Sequence, residues 1–196
     1  MEEEPEIMIT YNFVHLVLLA SGGRMRGRTK LQKTVYFVGA LTNRLETLGF
    51  RAHYYGPYSS DVSGALDELR GLGFLTQNVS TGSSYDSKGF EMARYDFALT
   101  EAGTLVGEEK SSIHRDEWKQ IKEAVNKLAK ANAEDYVKLS IAAKSFFMQK
   151  ENKRVIPAEE LSRMSSEFGW AVTPEQFEEA DQLLASINLP MQESCR

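Results

Sequence analysis

Ala93-Arg94-Tyr95-Asp96-Phe97-Ala98-Leu99 is the stretch that decides the fold. Successive side chains of a strand alternate, so Ala93, Tyr95, Phe97 and Leu99 point one way while Arg94 and Asp96 point the other. Phe74 to Val79 reads as the partner strand. Between them lies the only Gly/Ser-rich stretch, Ser80-Thr81-Gly82-Ser83-Ser84-Tyr85-Asp86-Ser87-Lys88-Gly89. Apolar residues resume on both sides of it, which makes it a hairpin loop and not a linker.

Before the hairpin the hydrophobic period is 3.6. Phe13, Leu16, Val17 and Ala20 share one face of a helix from about Thr10 to Ala20, and Ser21-Gly22-Gly23 ends it. Thr29-Lys30-Leu31-Gln32 matches a capping box and opens a second helix, with Leu31, Val35, Val38, Leu41 and Leu45 as its buried stripe. A third starts near Ser59 or Ser60, has Asp61 in its first turn, buries Val62, Ala65, Leu66 and Leu69, and stops at Gly71 or Gly73. After the hairpin, Thr100-Glu101-Ala102-Gly103 opens a short helix carrying Leu105 and Val106. Three helices, a hairpin and a return into helix form the order of a winged helix-turn-helix, with the hairpin as wing. The expected fold class is α+β, mostly α: a winged helix-turn-helix domain over residues 7–110 with a β-hairpin wing, followed by a helical C-terminal region over 111–190.

That C-terminal region shows stripes at Trp118, Ile121, Val125 and Leu128, at Tyr136, Leu139, Ala143 and Phe146, and at Phe177, Ala180, Leu184 and Ile187. Pro157 suits a first helical position, and Thr173-Pro174-Glu175-Gln176 combines a cap, an N1 proline and a capping box. Trp118, Phe146, Phe147, Trp170 and Phe177 are more aromatic surface than four short helices bury alone. Either they pack on the winged helix or they build a homodimer. The dimer is expected, because such regulators often meet symmetric half-sites in pairs.

The chain has 196 residues, 42% hydrophobic and 26% charged, with a net charge of −5, which excludes wholesale disorder and argues against coating nucleic acid by bulk charge. One cysteine, Cys195, excludes a disulfide framework or cysteine-rich zinc site. The acidic start Met1 to Glu6 is unlike a signal peptide, and the longest apolar run, Leu16 to Ala20, is too short for a bilayer. A cytoplasmic protein without membrane contact is expected.

The strongest local anomaly is electrostatic. Ile7 to Leu45 contains no acidic residue, yet holds Arg24, Arg26, Arg28, Lys30, Lys33 and Arg44. Lys30 and Lys33 fall in the first turn of the second helix, where the macrodipole disfavours cations. Arg24-Met25-Arg26-Gly27-Arg28 adds to that potential as a basic turn. Clustered Arg and Lys beside free helix amides suit phosphate or carboxylate, and the alternative is a solvated turn neutralised by acids from elsewhere. Lys88 and Arg94 on the wing are further candidates. Tyr54-Tyr55-Gly56-Pro57-Tyr58-Ser59-Ser60 is the second feature. Gly56-Pro57 permits a sharp turn into the third helix, and the three tyrosines either wedge that turn on the core or stack on a partner.

Gly27-Arg28-Thr29-Lys30-Leu31-Gln32-Lys33-Thr34-Val35-Tyr36-Phe37, Tyr55-Gly56-Pro57-Tyr58-Ser59 and Gly71-Leu72-Gly73-Phe74-Leu75 resemble the YwgA-like family of prokaryotic proteins. The Lys-Leu-Gln-Lys and Tyr-Gly-Pro elements are also similar to those of the related Panacea-type antitoxin domain. The resemblance implies a small, non-enzymatic, winged-helix-like regulator, and on the Panacea side one that binds a toxin protein.

Catalysis finds no motif. His15 sits in an apolar helix, while His53 and His114 lack ligand partners at i+3 or i+4. Ser59, His53 and Asp61 have no oxyanion-hole or nucleophile-elbow pattern around them. The GxxxxGK[ST] spacing is absent after Gly22-Gly23. No cofactor or metal is expected. Two partner classes remain. The scaffold and the basic turn favour DNA, and a transcription regulator follows. Asp61, Asp67 and Glu68 against Arg70 in the helix that would read the major groove favour a protein partner, as for an antitoxin or adaptor.

Overall fold

The computed structural model describes residues 8–80, 94–131 and 135–189, and within them the expected order of three helices, hairpin and helices is present. The elements are α1 (Thr10–Ala20), β1 (Arg24–Arg26), α2 (Arg28–Leu41), a 3-10 turn (Leu45–Leu48), α3 (Ser60–Gly71), β2 (Leu75–Ser80), β3 (Arg94–Leu99), α4 (Glu101–Ile113), α5 (Arg115–Lys130), α6 (Tyr136–Asn152), α7 (Ala158–Glu167) and α8 (Pro174–Ser186). The protein is α+β and mostly α, with one three-stranded antiparallel sheet in the order β1-β3-β2. Leu75 faces Leu99 and Ser80 faces Arg94 across the hairpin. Most of the connecting loop, with Lys88, lies outside the described residues.

The strand β1 corrects the reading of 24–28 as a basic turn. Arg24, Met25 and Arg26 pair with Ala98, Phe97 and Asp96, so the alternation of two arginines around a methionine is a strand pattern. Met25 is buried and its neighbours are exposed. Gly27, at φ 86°, leaves the strand and caps α2 without a side-chain bond. The expected capping box therefore does not form, and Gln32 turns elsewhere. Other ends follow their signals: Ser59 caps α3 through the Val62 amide, Thr100 caps α4, and Thr173 with Gln176 forms the capping box of α8.

Helix α2 is the axis of the molecule. Residues 31–39 are all buried, on every side of the helix. An apolar stripe covers one side against α1 and the sheet, while α5 and α6 cover the other. One cluster of buried side chains runs from Met8 through α2 to Ile187. Phe146, Trp170 and Phe177 belong to it, and Trp118 and Phe147 pack on its edge. Of the five aromatic residues behind the expected dimer, Phe146, Trp170 and Phe177 are buried within the chain and Trp118 and Phe147 are partly buried. On α4 Leu105 is exposed, and the glycines Gly103 and Gly107 face inward instead.

Candidate functional site

The basic residues are collected by the sheet. Side chains that share a face with Arg24 and Arg26 on β1 are Arg94, Asp96 and Ala98 on β3 and Thr76, Asn78 and Ser80 on β2. Residues seventy positions apart in sequence thus meet on one outward face, with strands about 4.8 Å apart. Arg94 donates to Asp96 at 3.1 Å, whereas Arg24 and Arg26 form no ion pair among the described residues. Arg28 opens α2 with its guanidinium 4.6 Å from the centre of the Tyr95 ring. Lys30 is half-buried in the same turn.

Lys33 does not belong to this surface. It is 2% exposed, because the 53–59 segment and α6 close over that side of α2. Its Nζ donates to the Pro57 carbonyl at 2.6 Å. Burial, and then the neighbouring Lys144, push its pKa down to about 7.

The same closure explains the two recurring motifs. The Gln32 amide spans the Ser59 backbone, with Nε2 donating to the carbonyl at 2.9 Å and Oε1 accepting from the N–H at 3.0 Å. From α6, Ser140 donates to the Tyr55 carbonyl at 3.0 Å, and from beyond α7 the Trp170 indole donates to the His53 carbonyl at 2.8 Å. The Ser59 hydroxyl donates to Leu48. Gly56 holds φ 94°, and a Cβ there would stand 3.1 Å from Lys144 and 3.4 Å from Lys33. Lys-Leu-Gln-Lys and Tyr-Gly-Pro-Tyr-Ser are therefore two halves of one clasp. Pro57 is buried and Tyr58 donates to Ser63 at 2.7 Å, while Tyr54 and Tyr55 stand out in solvent, edge to face at 4.9 Å.

Sequence reasoning missed Ser140, Lys144 and Trp170, which reach the clasp from a region with no local signal pointing to it. His15 is fully buried: its Nε2 lies 2.7 Å from the Gly103 carbonyl and its Nδ1 3.2 Å from Lys110. Burial lowers its pKa. His53, Ser59 and Asp61 form no relay, since the Ser59 hydroxyl is occupied by Leu48 and Val62. Among the described residues no group of three or more His, Cys, Asp or Glu is placed to hold a metal ion, and no helix is long and apolar enough to cross a membrane.

No family model matches the chain. It is similar to a Bacillus subtilis (strain 168) protein described as uncharacterized protein YwgA, 32% identical over 88 residues, or 44% of this chain. The match covers 48% of that protein, so the chain spans about half the length of the relative, and the relationship it supports is a YwgA-like one.

Proposed function

We propose that this chain is a non-enzymatic regulatory protein of winged-helix type that holds nucleic acid by its phosphate backbone. The observation that carries the reading is the outward sheet face: Arg24 and Arg26 without ion-pair partners among the described residues, Arg94 beside them though paired with Asp96, and Thr76, Asn78 and Ser80 as hydrogen-bonding neighbours. Arginine forks on a polar surface suit phosphate oxygens. Helix α3 argues against groove reading. Asp61, Asp67 and Glu68 are exposed on it, and its Arg70 is tied to Asp67 at 3.0 Å. The contact this surface supports is thus sequence-tolerant and salt-dependent.

Fluorescence anisotropy with random duplex DNA tests the reading on the wild type and on an Arg24→Ala, Arg26→Ala, Arg94→Ala variant. The variant loses affinity alike for all sequences, and each lost phosphate contact takes about 0.9 from the log–log salt slope. Wild-type binding weaker than about millimolar at low salt refutes it, since non-specific binding is typically about 10⁻⁴–10⁻⁶ M.

A protein-binding module of antitoxin or adaptor type is the second reading, favoured by the exposed Tyr54–Tyr55 pair on its braced loop and by the acidic α3. Tyrosine is enriched at interface cores, where its ring is large and loses little entropy on binding. Under that reading Tyr54→Ala with Tyr55→Ala abolishes one protein complex and leaves DNA affinity unchanged.

A further inference from the structure

The two edges of the sheet differ. The β1 edge is three residues long and carries Arg24 and Arg26. The β2 edge is Leu75-Thr76-Gln77-Asn78-Val79-Ser80, without charge or proline, and its register against β3 is unbroken from Leu75 opposite Leu99 to Ser80 opposite Arg94. Charges, prolines and bulges are what guard an exposed edge, and β2 has none of them. The flanking bonds fix which of its backbone groups are open. The Phe74 carbonyl accepts from the Thr100 N–H at 3.0 Å, while the next residue along, Leu99, donates to Gly23 on the β1 side at 2.8 Å. Bonded pairs of an antiparallel ladder recur at every second residue. Thr76, Asn78 and Ser80 therefore bond across to Ala98, Asp96 and Arg94, and the N–H and C=O groups of Leu75, Gln77 and Val79 point to the open edge. Among the described residues no other hydrogen bond reaches those groups. Val79 is 51% exposed.

We propose that β2 pairs antiparallel with β2 of a second copy of this chain, about a two-fold axis at Gln77. Gln77 then lies opposite the partner's Gln77 and Leu75 opposite the partner's Val79, and each pair exchanges both of its backbone bonds. This register uses all three open residues, whereas a slip of two residues either way leaves one of them outside the paired strand. The side chains agree with it: amide meets amide at Gln77, Val79 gains the partner's Leu75 as an apolar neighbour, and Thr76 faces the partner's Asn78. A neutral strand meets its own copy without repulsion, while a charged partner strand finds no counter-charge on β2. The dimer interface is thus the edge of the wing and not the C-terminal aromatic residues. The axis stands normal to the sheet, so the outward faces of both copies stay on one side. Arg24 and Arg26 of the two chains come to share one continuous face, their β1 strands five spacings or about 24 Å apart. The pairing itself does not rest on the phosphate reading.

Sedimentation velocity of the full chain between about 10 µM and about 500 µM tests the pairing. The wild type passes from one chain to two across this range, as suits a small interface. Gln77→Pro removes an N–H that faces the open edge and takes no part in the ladder with β3, so the fold is kept. The dimer loses one bond from each copy, and its dissociation constant rises about tenfold or more. Gln77→Lys and Gln77→Glu each set like charges opposite one another across the axis and raise that constant several-fold. An equimolar mixture of these two variants associates at least as tightly as the wild type, because lysine now faces glutamate. Circular dichroism of each variant matches the wild type, and recovery in the mixture separates a lost interface from a damaged fold. A wild type that stays monomeric at about 500 µM overturns the proposal. So does a dimer that survives Gln77→Pro, or a mixture that associates no more tightly than its two components.

Discussion

Gln32 and Ser59, 27 residues apart, are joined by a pair of hydrogen bonds of 2.9 and 3.0 Å in which one side-chain amide satisfies both the N–H and the carbonyl of one residue. Ser59 is at the same time the N-cap of α3, through the Val62 amide at 3.0 Å. The orientation of α3 against α2 is thereby fixed at its N-cap.

Replacing Gln32 with Leu keeps the volume roughly but strands a buried N–H. Urea unfolding should show a loss of about 1–3 kcal/mol, the cost of an unmet buried polar group. A smaller loss than Ser63→Ala, which removes only the hydrogen bond from Tyr58, would mean the clasp is not a main support of α3.

Lys33 gives the clasp a pH signature. Its pKa falls from 10.5 to about 7 on folding, so between these values the unfolded chain binds the proton more strongly than the native one. This contribution to stability is present in full above pH 10.5, is lost as pH falls, and is level below about 7. The slope approaches about 1.4 kcal/mol per pH unit within that window. Lys33→Met removes the proton and the hydrogen bond to Pro57, leaving a constant offset. The denaturation midpoint of the wild type should therefore rise relative to that of the variant as pH goes from about 7 to about 10, and a constant difference would sink the assignment.

Periodicity revealed α1, α3, α5 and α8 and the two hairpin strands, because each carries its own repeat of several residues. Arg24-Met25-Arg26 was too short to read as a strand, and its partner, Phe97 with its neighbours, lies seventy residues away. Gln32 sat three residues after Thr29 and so fitted a capping box. Nothing local says that the helix starts instead from Gly27, or that Ser59 takes the amide. Lys33 carried the same charge signal as Arg24, yet its burial depends on α6 arriving from position 136 onward. The outward face of the sheet is legible as charge and not as geometry: Arg24, Arg26 and Arg94 are distant in sequence and share a face only through strand pairing.

Two glycines predict opposite outcomes. A Cβ on Gly103 would stand 2.0 Å from the Phe74 carbonyl oxygen, which already accepts from Thr100 at 3.0 Å. Gly103→Ala forces α4 away from β2 and should cost about 3 kcal/mol, the upper range of overpacking. Gly64 lies inside α3, exposed, with nothing within 4 Å of its Cβ position. Gly64→Ala should add about 0.5–1 kcal/mol through helix propensity and the unfolded chain. Thermal melts of the two variants suffice. Similar effects from both would mean that α4 can shift freely on the sheet.

His15 gives the fold a pH signature on the acid side. Its partners assign the tautomer: the Gly103 carbonyl takes the Nε2 proton at 2.7 Å, and the Lys110 ammonium, 3.2 Å away, donates to Nδ1. Phe74 stacks on the ring at 6.2 Å, and Lys110 is held 4.0 Å from the centre of the Tyr11 ring. Adding a proton at Nδ1 places a second cation against Lys110 in a site already shielded from water, so burial first and that repulsion with it hold the pKa below 6.5. The unfolded chain takes the proton at its ordinary value. Stability from this group is complete above pH 6.5, declines as pH falls through that value, and levels out below the native pKa. His15→Gln offers a donor to Gly103 and an acceptor to Lys110 without a titrating ring. Urea midpoints measured between about pH 8 and about pH 5 should show the wild type losing stability faster than the variant, by up to about 1.4 kcal/mol per unit. The carboxylates of the chain titrate in both proteins and cancel in the difference. A difference that stays constant over the whole range would show that the imidazole takes its proton equally well in the native and unfolded chains, which would sink the assignment.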